Sequence, residues 1–163
     1  MKKAFFIIFT MFISYNINAQ YYNTAIGLKL GWGIGIDAKH FLGENSDHAI
    51  EACLDIQKDG FVLSTFYDYH LEAFKVDGLR WYFGLGPYLG VWGENQWNKT
   101  LKEKLFVMGA VGVMGIEYTL ENFPINFALD LQPRFNFVGT TQIWATGGIT
   151  VRYTFKPKEE EEI

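Results

Sequence analysis

The chain has 163 residues, long enough for one domain, and 49% of them are hydrophobic. Acidic residues outnumber basic residues by 18 to 14, and the resulting formal net charge of −4 argues against a polyanion such as nucleic acid as a partner. The single cysteine, Cys53, excludes an internal disulfide.

Residues 1–19 have the features of a secretory signal peptide. Lys2 and Lys3 precede an apolar run from Ala4 to Ile13, and the small residue Ala19 precedes the expected cleavage site. This run is much shorter than the roughly 20 apolar residues that a membrane-spanning helix needs. We therefore expect export of the chain and removal of residues 1–19.

The rest of the chain predicts eight β-strands and no amphipathic helix. The strands are separated by glycine, asparagine, aspartate and proline, which favour turns. Most are close to the roughly 9 to 11 residues of a tilted strand that crosses a bilayer. The predicted bounds are 24–32, 33–41, 48–57, 61–72, 79–92, 105–120, 125–138 and 143–155.

Apolar and polar side chains alternate along each predicted strand, most clearly in 125–138. There Phe127, Leu129 and Leu131 alternate with polar residues such as Asp130 and Gln132. Because successive strand residues point to opposite faces, each strand has one apolar and one charged face. The pattern predicts an all-β fold, an eight-stranded antiparallel up-and-down transmembrane β-barrel, with the apolar face toward lipid and the charged face toward the lumen.

Ionisable side chains on the polar face are expected to form a charge network in the lumen, because buried charges normally neutralise one another. Asp68, His70 and Glu72 alternate on one strand, as a metal site or a general base would require, but a structural network is favoured. No catalytic residue, metal ligand or cofactor is predicted. The predicted network comprises Lys29, Asp37, Lys39, Glu51, Asp55, Asp68, His70, Glu72, Arg80, Glu117, Asp130, Arg134 and Arg152.

A soluble, lipocalin-like barrel would show the same alternation with its apolar face turned inward. Two features favour an outward apolar face. Gly84, Gly86 and Gly90 lie on the charged side, where a narrow lumen needs small residues. Aromatic residues gather near strand ends, as in the girdles of membrane barrels. The predicted girdle comprises Trp32, Tyr69, Trp81, Trp92, Tyr118, Trp144, Tyr153 and Phe155.

The segment Gly148-Ile-Thr-Val-Arg-Tyr-Thr-Phe155 resembles the closing strand of bacterial outer-membrane barrels, with alternating aromatic residues and a final phenylalanine. Together with the signal peptide and the strand count, residues 20–155 resemble the small eight-stranded barrels typified by OmpX and the membrane domain of OmpA. The resemblance implies an outer-membrane location, contact with outer-membrane lipid, and recognition of the C-terminal strand by the barrel assembly machinery. It also implies periplasmic termini, with 156–163 as an acidic periplasmic tail.

The expected role is non-enzymatic, structural or in surface interaction, with a plugged polar lumen. One long outward connection, 93–104, contains Trp97 as a possible contact for a surface partner that the sequence does not identify. Two alternatives stay open: a small outer-membrane enzyme that modifies lipid, and a secreted soluble barrel that binds a ligand.

Overall fold

The computed structural model describes residues 22–43, 47–57, 60–92, 105–139 and 143–155. They form a closed barrel in which each strand pairs with its neighbours in chain order. None of these residues belongs to a helix that could cross a membrane. The strands are β1 (Thr24–Gly31), β2 (Ile34–Leu42), β3 (His48–Gln57), β4 (Gly60–Glu72), β5 (Leu79–Trp92), β6 (Leu105–Thr119), β7 (Ile125–Val138) and β8 (Ile143–Phe155).

All eight strand pairs are antiparallel, and β8 closes the barrel by pairing with β1, where Leu28 faces Val151. The predicted all-β, eight-stranded fold is confirmed, and each predicted strand agrees with the structure to within one residue at either end. We call the end where β1 begins and β8 ends the terminal end, and the opposite end the distal end.

The two faces of each strand differ sharply in exposure. In β7, Leu129 and Leu131 are 56% and 48% exposed, whereas the neighbouring residues Asp130 and Gln132 are 6% and 0% exposed. The other strands repeat this alternation, with large apolar side chains outside and polar side chains inside. The inverted arrangement of a soluble barrel, with its apolar face inward, is therefore not the one adopted.

The barrel interior also contains an apolar region, which lies against the inner faces of β3 to β7. Its largest members are Phe66, Tyr82 and Tyr88, all at most 2% exposed. A second cluster closes the terminal end, where the ring of Tyr22 packs edge-on against Phe41 with centroids 5.0 Å apart. The interior is thus filled by side chains, as expected for eight strands.

Glycine makes room for the largest interior side chain of this region. A Cβ atom at Gly115, on the inner face of β6, would lie 2.6 Å from Cζ of Tyr82 and 2.6 Å from the carbonyl oxygen of Leu129. On the outer face of the same strand, a Cβ atom at Gly112 would come no closer than 3.4 Å to any other atom, the nearest being Pro133 Cγ. On β6, the inner face at Gly115 therefore tolerates added volume less than the outer face at Gly112.

We expect Gly115→Ala to lower the free energy of unfolding by roughly 1–3 kcal/mol, because the added methyl group must displace the Tyr82 ring or the β7 backbone. Gly112→Ala on the same strand is the matched control and should change stability little. The midpoint of urea denaturation measures both effects. Equal midpoints for the two variants would contradict the tight packing between Gly115 and Tyr82.

Candidate functional site

The most distinctive group of side chains in the barrel is a set of charges inside it. Most of them are less than 10% exposed, and Asp55 and Arg80 are half-buried. They come from every strand, because each strand turns its polar face inward. We call this group the lumen network; it comprises Lys29, Asp37, Lys39, Glu51, Asp55, Asp68, His70, Arg80, Glu117, Asp130, Arg134 and Arg152.

Lys39 is the centre of the network. Its Nζ lies 2.9 Å from Oε2 of Glu51, 3.2 Å from Oε2 of Glu117 and 3.7 Å from Oδ2 of Asp68. These carboxylates come from β3, β6 and β4, and all four side chains are inaccessible to solvent. In this low-dielectric interior each carboxylate needs a nearby cation. The single ammonium group of Lys39 therefore links β2 to three other strands.

Arg152 on β8 is the second centre. Its Nε donates to Asp37 on β2, its Nη2 donates to Oε2 of Glu51 at 3.1 Å, and its Nη1 donates to Oδ1 of Asn126 at 3.1 Å. Nη1 also lies 3.7 Å from Oε2 of Glu117. The planar guanidinium group suits this geometry because its donors point in fixed directions. Arg152 therefore links the last strand to four others.

Two smaller groups lie closer to the distal end. Lys29 Nζ donates to both carboxylate oxygens of Asp130, at 2.7 and 2.8 Å. Arg134 Nη2 donates to Oε1 of Gln132 at 2.7 Å and lies 3.4 Å from Oδ2 of Asp55. Together with the central cluster they neutralise most of the interior charge.

His70 is buried among side chains of the described part of the barrel. Its Nε2 lies 3.3 Å from Lys39 Nζ and 3.7 Å from Oε1 of Glu117. Its ring packs against Phe41, with centroids 4.7 Å apart, and stacks on Tyr82 at 5.5 Å. A general base must reach the proton that it removes from a substrate. The contacts of His70 instead match a structural member of the network.

The sequence predicts Glu72 in the lumen network, and the structure contradicts this. Glu72 is the last residue of β4, and its side chain is exposed at the terminal end. Its partner in the strand register is Arg80, whose Nη2 lies 3.3 Å from Oε1 of Glu117. Asp68, His70 and Glu72 therefore do not converge, and among the described residues no group of three or more His, Cys, Asp or Glu could hold a metal ion.

Two members of the predicted girdle, Trp92 and Trp144, also differ from the prediction. Nε1 of Trp144 donates to Oδ1 of Asn136 at 3.3 Å, and the guanidinium group of Arg134 lies 5.2 Å from its ring. The ring of Trp92 lies 5.7 Å from that of Trp144. Both residues have the parity of the inner face, where the indole N–H of Trp144 finds its hydrogen-bond partner. They cover the interior near the distal end.

The other predicted girdle residues lie on the outer surface or at its edge. Tyr69, Trp81 and Phe155 are 43%, 37% and 43% exposed near the terminal end, and Trp32 is 60% exposed in the turn after β1. Tyr118 and Tyr153 are half-buried. Their role as a membrane girdle stays a prediction. Trp97, residues 1–19 and residues 156–163 lie outside the described residues.

Uncharged polar side chains also face the lumen, and the predicted network did not contain them. The hydroxyl of Tyr88 donates to Asn136, and Nδ2 of Asn126 donates to Oγ1 of Thr119 at 3.0 Å. Tyr22, just before β1, is 1% exposed, and burial raises the pKa of its hydroxyl above the ordinary range. The strand residues among them, such as Tyr88 and Asn126, could have been identified from their inner-face parity.

The free space near the distal end is small. A cavity of ≈ 10 Å³ is lined by Lys29, Trp32, Asp55 and Gln57 among others. Such a volume accommodates about one water molecule. This cavity is therefore too small for an organic substrate.

We expect Lys39→Met to lower the free energy of unfolding by roughly 3–5 kcal/mol, because it leaves three buried carboxylates without their shared cation. Lys29→Met is the matched control, and its loss should be smaller because Lys29 contacts one carboxylate. Urea titration of the refolded barrel measures both.

Adding Glu51→Gln to Lys39→Met should recover part of the loss, because it removes one of the buried negative charges that are then in excess over the cations. A double variant that is less stable than Lys39→Met alone would contradict the central role of Lys39.

No protein-family model and no curated protein matches the sequence. Among solved structures, the chain is similar to the N-terminal β-barrel domain of Pseudomonas aeruginosa OprF, with a TM-score of 0.61 and 18% sequence identity. The similarity covers 82% of this chain and 98% of that domain. It supports the predicted resemblance to small barrels at the level of the fold, whereas the resemblance to OmpX in particular stays a prediction. The chain thus shares the closed barrel fold of the OprF domain.

Proposed function

We propose that the protein is a non-enzymatic outer-membrane β-barrel, with a filled polar lumen and a structural or surface-interaction role in the envelope. The observation that carries this proposal is the distribution of side chains: the exterior of the barrel is apolar and the interior is charged. This is the reverse of a water-soluble barrel.

The apolar exterior needs an apolar environment. Large hydrophobic side chains are exposed on every strand, and Leu28, Ile36, Leu85 and Ile149 are each more than half exposed. Exposed apolar surface costs about 25 cal/mol per Å² in water, and soluble monomers rarely expose a patch larger than a few hundred Å². A hydrocarbon environment removes this cost. In a closed barrel the backbone N–H and C=O groups of every strand are paired, because no strand lies at an open edge.

The interior supports a structural role more than catalysis or transport. Lys39, His70 and Arg152 already bind groups of the protein itself, which leaves none of them facing a space where a substrate could lie. A soluble carrier would need an apolar cavity, and here the interior holds ion pairs. The predicted signal peptide, the closing strand that ends at Phe155 and the fold shared with the OprF domain support the outer-membrane location.

A basic residue in the middle of the outer surface should block insertion. We expect Leu131→Arg to lower the stability of the barrel in lipid vesicles by about 2–4 kcal/mol, because Leu131 lies halfway along β7 on the outer face. Ile143→Arg is the matched control at the distal end, where the cost should be about 0–1 kcal/mol. Heat-modifiability on gels and urea titration in vesicles measure folding; equal losses at the two positions would argue against a membrane around the barrel.

The two ends should lie on opposite sides of the outer membrane. In a Cys53→Ala background, we expect Trp32→Cys at the distal end to react with a membrane-impermeant maleimide on intact cells. Phe74→Cys at the terminal end should react only after the cells are lysed, because both termini are proposed to be periplasmic. Labelling of Phe74→Cys but not of Trp32→Cys on intact cells would show that the orientation is opposite to the proposed one.

A further inference from the structure

The turn between β4 and β5 has an unusual backbone. Phe74 and Lys75 have φ values of 54° and 56°, although neither is glycine. The N–H of Val76 donates to the carbonyl oxygen of Ala73 at 3.1 Å, so these two residues are the central pair of a tight turn. Positive φ at both central residues is typical of a type I′ turn, for which Asn-Gly is the preferred sequence.

Phenylalanine and lysine are poor choices for this conformation. A bulky side chain at positive φ is a genuine outlier, and backbone strain of this kind clusters at functional sites. Asn-Gly would form the same turn without strain. The residue types at 74 and 75 therefore call for an explanation outside the stability of the turn.

The side chains of this turn form a small amphipathic surface. Phe74 is 75% exposed and Val76 is 49% exposed. The ring of Phe74 lies edge-on to Trp81, with centroids 5.8 Å apart, so it extends the apolar outer surface beyond the strands. Lys75 and Asp77 are exposed beside it and carry opposite charges.

We propose that this turn anchors a phospholipid headgroup in the leaflet at the terminal end, a site that rests on the proposed function of the protein as a membrane barrel. Phe74 and Val76 contact the upper acyl chains, continuous with the apolar surface at Trp81. Lys75 binds the phosphate, and Asp77 binds an ammonium group. A headgroup with both charges, such as that of phosphatidylethanolamine, matches the pair of side chains.

The test uses the full mature chain in bilayers that contain phosphatidylethanolamine, with native mass spectrometry to count lipids retained after gentle extraction. We expect Lys75→Gln to retain phosphatidylethanolamine about fivefold less well than wild type, the upper range for the loss of one exposed ion pair. Asp77→Asn should weaken retention of phosphatidylethanolamine more than that of phosphatidylcholine, whose quaternary ammonium carries a charge but cannot donate a hydrogen bond.

A combined Phe74→Asn and Lys75→Gly variant separates anchoring from stability. It should unfold at a higher temperature in detergent, because Asn-Gly removes the strain, and yet retain less lipid. Unchanged lipid retention in this variant and in Lys75→Gln would overturn the headgroup site. Dimerisation that is lost in these variants while lipid retention is unchanged would assign the turn to protein contact and equally overturn it.

The proposed function and the headgroup site fail in different ways. If wild type does not insert into vesicles, the membrane location itself is wrong. If wild type inserts and melts as a folded barrel, but retains lipid no better than the variants, only the headgroup site is wrong. Because Lys75 is exposed, the Lys75→Gln barrel should fold as wild type and give a result in either case.

Discussion

Neutralisation of charge inside the barrel is the constraint on which the rest of the structure depends. A buried carboxylate without a cation is far more costly than a lost surface contact, so the inner faces of the strands must align until the charges meet. Lys39 and Glu117 are 78 residues apart in the chain, and Arg152 and Asp37 are 115 apart. Each pair can therefore form only when several strands, distant in the sequence, have the correct register.

This condition works together with the apolar exterior. A slip of one residue in any strand would turn its charged side chains outward and its apolar side chains inward. A slip of two residues would keep the faces but separate the ions: Lys39 would no longer lie opposite Glu51, its partner in the register of β2 and β3. The alternation thus selects the face, and the ion pairs select the position along the strand.

The same distinction explains what could be predicted from the sequence. A period of two places Asp37, Lys39 and Arg152 on the inner face without any knowledge of the tilt of the strands. It does not say which residues from different strands lie at the same height, so the shared contacts of Lys39 could not be foreseen. Glu72 has the correct parity but stands where β4 ends. Trp144 has inner-face parity too, and its position near a strand end suggested a girdle.

The place of Arg152 in the last strand has a consequence for the order of assembly. A chain is made from its N-terminus, so Asp37, Glu51 and Glu117 all exist before Arg152, the cation that they share. Without β8, the inner faces of the preceding strands carry six acidic side chains of the lumen network but only four lysines and arginines. The closing strand brings the missing counter-charge along with the missing hydrogen bonds. Closure by β8 therefore forms the ion pairs of Arg152 in the same step as the last strand pairing.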